Sequence, residues 1–227
     1  MSDIEKVILT ASGGPFLDKN LTELKYITPE QAIKHPNWKM GAKISVDSAT
    51  MANKGLELIE AQQFFGLGSE LLDVVIHPQS IIHSFVEFTD GAMLAQMGIP
   101  DMRIPISYCL AYPRRLRMNQ SKLKLTELNG LQFLDVESAR YPLFKISRDC
   151  LKEGGLSPIF FNAANEVAVG SFLSGEISFL DIYSIVASVM EKLEHHHIHA
   201  IDDVLEVDAI ARRKARDCAA VIARHVG

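Results

Sequence analysis

The apolar pattern of this chain turns from largely strand-like to wholly helical near residue 138, and no other feature constrains the fold as much. Before that point, short apolar runs alternate with turn residues in the manner of strands. These runs are Val7-Ile8-Leu9-Thr10, Lys43-Ile44-Ser45-Val46, 71–76, and a hairpin of 81–88 and 92–97 turning at Asp90-Gly91. After Pro142 the period becomes helical, over 143–153, 162–173, 178–193 and 208–226. The fold class expected is α+β. A sheet-containing unit with helices on its face (1–111) leads through a linker (112–137), marked by Pro113, Arg114, Arg115 and Arg117, into a helical bundle (138–227).

Helices are also expected in the first unit. Thr28-Pro29-Glu30 caps and opens a short one that stops before Pro36. A longer one spans 49–65, capped by Asp47-Ser48-Ala49-Thr50 and ended by Gly66 and Gly68. In the bundle, Asn162 and Asn165 are read as the start of the second helix, with Glu166 in its first turn. The hairpin carries apolar residues on both faces, which asks for cover by helices or a second subunit. A homodimer on 71–97 is therefore expected.

Composition narrows the function. At 227 residues and 48% hydrophobic content, the chain can bury a core without disulfide or metal staples. A formal charge of -5 argues against a nucleic-acid partner. No apolar run reaches membrane-spanning length, so no membrane partner is expected. Cys109, Cys150 and Cys218 form no C-x-x-C pair, which suits reduced thiols and a cytoplasmic location. The first residues lack the basic end and apolar core of a signal peptide. They run abruptly into Val7-Ile8-Leu9, which hints at a cut chain, although a short native first strand is the commoner case.

The strongest chemical signal is Asp47-Ser48-Ala49-Thr50-Met51-Ala52-Asn53-Lys54-Gly55-Leu56-Glu57. Ser48 is placed at a helix start, where free N–H groups and the dipole favour an anion. Lys54 adds a cation and Asn53 an amide, a donor set that suits a phosphomonoester. Glu57 is a hard oxygen ligand for Mg2+ or Mn2+, although one carboxylate is not a metal site; Asp47 is the nearest second acid. An ordinary capped helix with surface charges fits the same spacing. Ser12-Gly13-Gly14 after the first strand reads either as a loop brought close to a ligand or as a plain turn. His77 and His83 match no metal spacing. They are structural or interface histidines, a satisfied ring being commoner than one stacked on substrate. His195, His196, His197 and His199 invite a zinc reading, but an exposed helix terminus before Asp202 and Asp203 is favoured. No G-x-G-x-x-G after a strand and no P-loop are present.

Beyond single residues, the stretch 43–60 resembles the 1-deoxy-D-xylulose 5-phosphate reductoisomerases. So do Ala11-Ser12-Gly13-Gly14-Pro15-Phe16, His35-Pro36-Asn37-Trp38-Lys39-Met40-Gly41, Ile76-His77-Pro78-Gln79-Ser80, Gly98-Ile99-Pro100-Asp101-Met102-Arg103 and Asn162-Ala163-Ala164-Asn165-Glu166. The resemblance implies that Ser12, Ser48, Asn53 and Lys54 hold the substrate phosphate. It places His35 beside the substrate in a flap (35–41) with Trp38 and Met40 as apolar cover, and makes Glu57 one of three acidic ligands of Mg2+ or Mn2+. It further implies an oxidoreductase and isomerase of isoprene biosynthesis. That enzyme uses NADPH to convert 1-deoxy-D-xylulose 5-phosphate into 2-C-methyl-D-erythritol 4-phosphate. The family's NADPH domain, its other two metal ligands and its catalytic lysine have no counterpart here. The chain is accordingly expected to be a fragment, inactive alone and binding neither NADPH nor metal tightly. A naturally shortened, non-catalytic phosphate-binding or scaffolding module is the alternative.

Overall fold

The computed structural model describes residues 3–35, 40–193 and 198–226. Strands β1 (Ile4–Ala11), β2 (Leu72–Ile76), β3 (Ile82–Phe88) and β4 (Met93–Met97) form one mixed sheet in the order β2-β1-β3-β4. β1 runs parallel to β2, with Leu9 opposite Val74 and Ala11 opposite Ile76. It runs antiparallel to β3, which turns through Asp90-Gly91 into antiparallel β4. A parallel neighbour needs a crossover. Here it carries α1 (Pro29–Ala32), α2 (Ala42–Thr50) and α3 (Ala52–Phe65). The rest is helical: α4 (Arg103–Ala111), α5 (Pro142–Glu153), α6 (Ser157–Leu173), α7 (Asp181–Met190) and α8 (Ile201–Val226). The α+β class and the change of period are as the sequence indicates.

Two cores hold the molecule. The smaller lies between the sheet and α3, with Val74, Ile76, Met51, Leu58, Ala61, Tyr141 and Leu151 buried together. The larger is centred on α6, whose Phe160, Phe161, Ala164, Ala168 and Phe172 are all but inaccessible. A helix apolar on every side belongs inside a bundle. This core also takes in Phe16, Leu24, Ile27, Val46 and Ala49 from the first hundred residues. Phe16 meets Phe179 edge-on at 5.7 Å, and Phe179 meets Phe172 in the same way. At the far side of the sheet, β4 pairs only with β3 among the described residues, and its Met93 and Leu94 are exposed.

Several local expectations need correction. Residues 43–46 are helical, not a strand. The β-branched Ile44 and Val46 suggested extension, but Ser45, Val46, Ala49 and Thr50 are buried at helical spacing. Lys43 pairs with Asp47 one turn on. Ser48 therefore sits in the last turn of α2 rather than at a helix start. The chain bends at Met51, which adopts φ +62°, and α3 begins afterwards. α4 was not anticipated; its Pro105 falls in the first turn, where a missing N–H costs no helical bond. α6 starts at Ser157-Pro158, a turn and more before Asn162, so Asn165 and Glu166 lie inside it. α8 starts at Ile201, so Asp202 and Asp203 open this helix rather than follow one. The Asp203 carboxylate accepts the N–H groups of His199 and Ala200. His195, His196 and His197 lie outside the described residues.

Candidate functional site

The loop after β1 is the first wall of the site. Gly13 and Gly14 take φ +81° and +72°, a left-handed pair that side chains resist. The requirement at Gly14 is also spatial, because a Cβ there would lie 2.7 Å from both the Ala49 Cα and the Ser48 carbonyl oxygen. The close approach is thus to the last turn of α2, and it presses the Ser12 loop against Ser48. Ser12 Oγ accepts the Gly14 N–H (3.2 Å) and stands 3.0 Å from His35 Nε2. Partial burial lowers the pKa of the His35 ring, which favours its neutral form.

The second wall lies beyond the Met51 bend. The Ala52 N–H goes to Thr50 Oγ1, while the next first-turn amides, those of Asn53 and Lys54, have no acceptor within a helix. The Asn53 side chain donates to Glu57 Oε1 (2.5 Å), and the Lys54 ammonium pairs with Glu57 Oε2. The Lys54 side chain is 14% exposed, so its charge faces a partly desolvated space. That charge also reaches His83, whose pKa is lowered chiefly by burial and further by His77 and Lys54. Ser12, His35 and Ser48 thus gather at one loop contact. Asn53, Lys54 and Glu57 form one hydrogen-bonded row a bend away. Met40 is half-buried just before α2, and Trp38 lies outside the described residues.

Family models match this chain twice. The DXP reductoisomerase C-terminal domain covers residues 97–214, and the 1-deoxy-D-xylulose 5-phosphate reductoisomerase C-terminal domain covers residues 1–65. The chain belongs to the 1-deoxy-D-xylulose 5-phosphate reductoisomerase family. Its similarity to the reductoisomerase of Cupriavidus pinatubonensis is 53% identity over 95% of this chain and 54% of the relative. For the reductoisomerase of Pelotomaculum thermopropionicum it is 52% over 92% and 54%. A crystal structure of DOX-P reductoisomerase in complex with NADPH, fosmidomycin and magnesium aligns with TM-score 0.89 at 40% identity, over 96% of this chain and 56% of that one. The reductoisomerase from Zymomonas mobilis in complex with NADPH aligns equally well at 42% identity. The chain spans about half the length of the curated relatives it matches.

A reductoisomerase implies a divalent metal and NADPH, and the described residues do not by themselves fit either. No three His, Cys, Asp or Glu side chains cluster among them. Glu57 is a single carboxylate, with both oxygens held by Asn53 and Lys54. Asp47, the nearest second acid, is sequestered. It is 1% exposed, paired with Lys43 Nζ at 2.6 Å and bonded by Asn165 Nδ2 at 2.8 Å. Burial raises its pKa despite both partners. The turn after β1 opens onto an irregular segment and a short 3-10 helix (Leu21–Tyr26), not the α-helix that a pyrophosphate would cap.

His77 is a structural histidine. It is fully buried and stacks on Phe133 at 4.8 Å. Its Nε2 receives the Ile81 N–H, so Nδ1 must carry the proton and donate to the Gln132 carbonyl. Sequence reasoning missed Arg140 and Tyr141. Tyr141 donates its hydroxyl to the Gly13 carbonyl (2.9 Å), and Arg140 Nη1 reaches the carbonyls of Phe16 (3.1 Å) and Lys19 (2.8 Å). Partners more than a hundred residues apart leave no local signal.

Proposed function

We propose that this chain carries the sugar-phosphate-binding part of a reductoisomerase site, for the conversion of 1-deoxy-D-xylulose 5-phosphate into 2-C-methyl-D-erythritol 4-phosphate. The observation that carries the reading is the packing of the Ser12 loop on the Ser48 turn, one bend before the Asn53–Lys54 helix start. Two hydroxyls, an amide, an ammonium and unpaired backbone N–H groups on two adjoining walls are what a phosphate dianion requires. A neutral His35 adds a hydrogen bond without a second fixed cation. Glu57 holds Lys54 and Asn53 in place. Related reductoisomerases are seen in complex with NADPH, which would supply the reducing equivalents when bound.

The test is a calorimetric titration of the chain with the sugar phosphate, wild type against Lys54→Ala. Loss of a charge-assisted contact of about 2 kcal/mol weakens binding by roughly thirty-fold. Equal affinities would make Lys54 structural and reject the reading. No NADPH consumption is expected from this chain with substrate and Mn2+, since it lacks a three-ligand metal cluster among the described residues. Turnover by the chain alone would reject that part. Phosphate binding without turnover in any reconstituted assembly would favour the non-catalytic module.

Two further readings belong here. A homodimer through β4 is supported by its unpaired edge and by the exposed Met93 and Leu94. Sedimentation showing only monomer would count against it. A cytoplasmic location is supported by three free thiols. No described helix is long and apolar enough to cross a membrane.

A further inference from the structure

The Ser12 loop is not self-supporting. Its two left-handed glycines form no strand or helix bonds. The Phe16 carbonyl takes the Lys19 N–H at 3.1 Å, but the carbonyls of Gly13 and Lys19 need donors from elsewhere. Two adjacent residues from the middle of the chain supply them and add a second donor to the Phe16 carbonyl. Arg140 and Tyr141 precede α5, 121–128 residues away in sequence, and donate to all three carbonyls. Tyr141 is 2% exposed and belongs to the core under the sheet, so its hydroxyl is fixed by packing before it meets Gly13. We propose that Arg140 and Tyr141 are positioning residues for the anion site, setting the Ser12-Gly13-Gly14 turn at the distance from Ser48 that phosphate binding requires.

The chemistry favours this arrangement. A carbonyl drawn toward Tyr141 turns the Gly13–Gly14 peptide plane, so the Gly14 N–H faces the opposite way, toward Ser12 Oγ. The orientation of the Ser12 hydroxyl beside His35 then depends on a phenol in the helical half of the chain. Burial pushes the Tyr141 hydroxyl up to about 12, so it stays a donor across the physiological range. Arg140 fixes the outer end of the same loop at two points, and Gly14 has no room to shift against Ala49. Without the Tyr141 hydroxyl, the turn keeps its sequence and loses its set.

This proposal rests on the phosphate reading above, and one experiment separates the two. Amide 1H–15N spectra of the full 227-residue chain are recorded during titration with inorganic phosphate. In the wild type, Gly13, Gly14, Asn53 and Lys54 should shift together. In Tyr141→Phe, affinity should fall about five-fold, the weight of one hydrogen bond. Gly13 and Gly14 should then respond less, while Asn53 and Lys54 still respond at higher phosphate. Arg140→Ala should act in the same direction and Arg140→Lys should restore part of the loss, which keeps the test decisive if Tyr141→Phe fails to fold. Wild-type affinity and wild-type Gly13 and Gly14 shifts in Tyr141→Phe would overturn the positioning role alone. No response at Asn53 and Lys54 in the wild type would remove the phosphate reading and this proposal with it.

Discussion

Gly55 sits where α3 crosses α5, and a methyl group there has nowhere to go. Its Cβ would lie 1.9 Å from Ser147 Oγ and 2.3 Å from Ser147 Cβ. Alanine in a helix interior normally gains about 1 kcal/mol over glycine. Here overpacking of about 3 kcal/mol outweighs it. Gly55→Ala should therefore lose about 2 kcal/mol in net stability, visible as a lower melting temperature. The Gly55→Ala/Ser147→Gly pair should recover part of the loss, and a wild-type melting temperature for Gly55→Ala would disprove the close crossing. At this scale the sequence is uneven as a guide. Asn53, Lys54 and Glu57 were legible because their partners lie within one turn. Gly14, Asp47 and Tyr141 were not, since what each touches is set by tertiary contact: Ala49, Asn165 and Gly13 respectively.

The α2–α3 bend is the element on which the site turns. It places Ser48 at the end of one helix and Asn53 and Lys54 at the start of the next. Met51 holds it in a left-handed conformation that costs a non-glycine residue about 1 kcal/mol. Met51→Gly relieves that cost but removes a side chain only 2% exposed, worth about 3 kcal/mol in a core. Burial wins, and the variant should be about 2 kcal/mol less stable in urea titration, whereas Met51→Leu should stay near wild type. A Met51→Gly protein more stable than the parent would show that strain, not packing, governs the bend. Element legibility followed the same logic. The hairpin and α1 carry their own turn and cap residues and were readable. At residues 43–46 and at the start of α6, the local preferences of β-branched residues and asparagines point away from the structure. Their buried neighbours decide otherwise.

For the molecule as a whole, acid should be destabilising below pH 6.5. Burial lowers the pKa of both His35 and His83 from that value. As pH falls through 6.5 the unfolded chain takes up protons first, so stability declines until the native rings are charged as well. Asp47 acts with the opposite sign closer to 3.8, because burial raises its pKa and the native state then takes the proton first. Urea midpoints taken on either side of pH 6.5 should show the decline, and a His35→Gln/His83→Gln variant should flatten it. An unchanged slope in that variant would assign the effect elsewhere. The shared core has another consequence. Residues 112–119 are exposed throughout and include Arg114, Arg115 and Arg117. Yet Phe16, Leu24 and Val46 are locked among Phe160, Phe172 and Val186 on the far side of that stretch. Covalent continuity there should be dispensable, because the shared core bridges the two sides. A single tryptic nick should leave two pieces that elute as one particle and part only in denaturant, so the chain could be supplied as two separately made halves and still assemble.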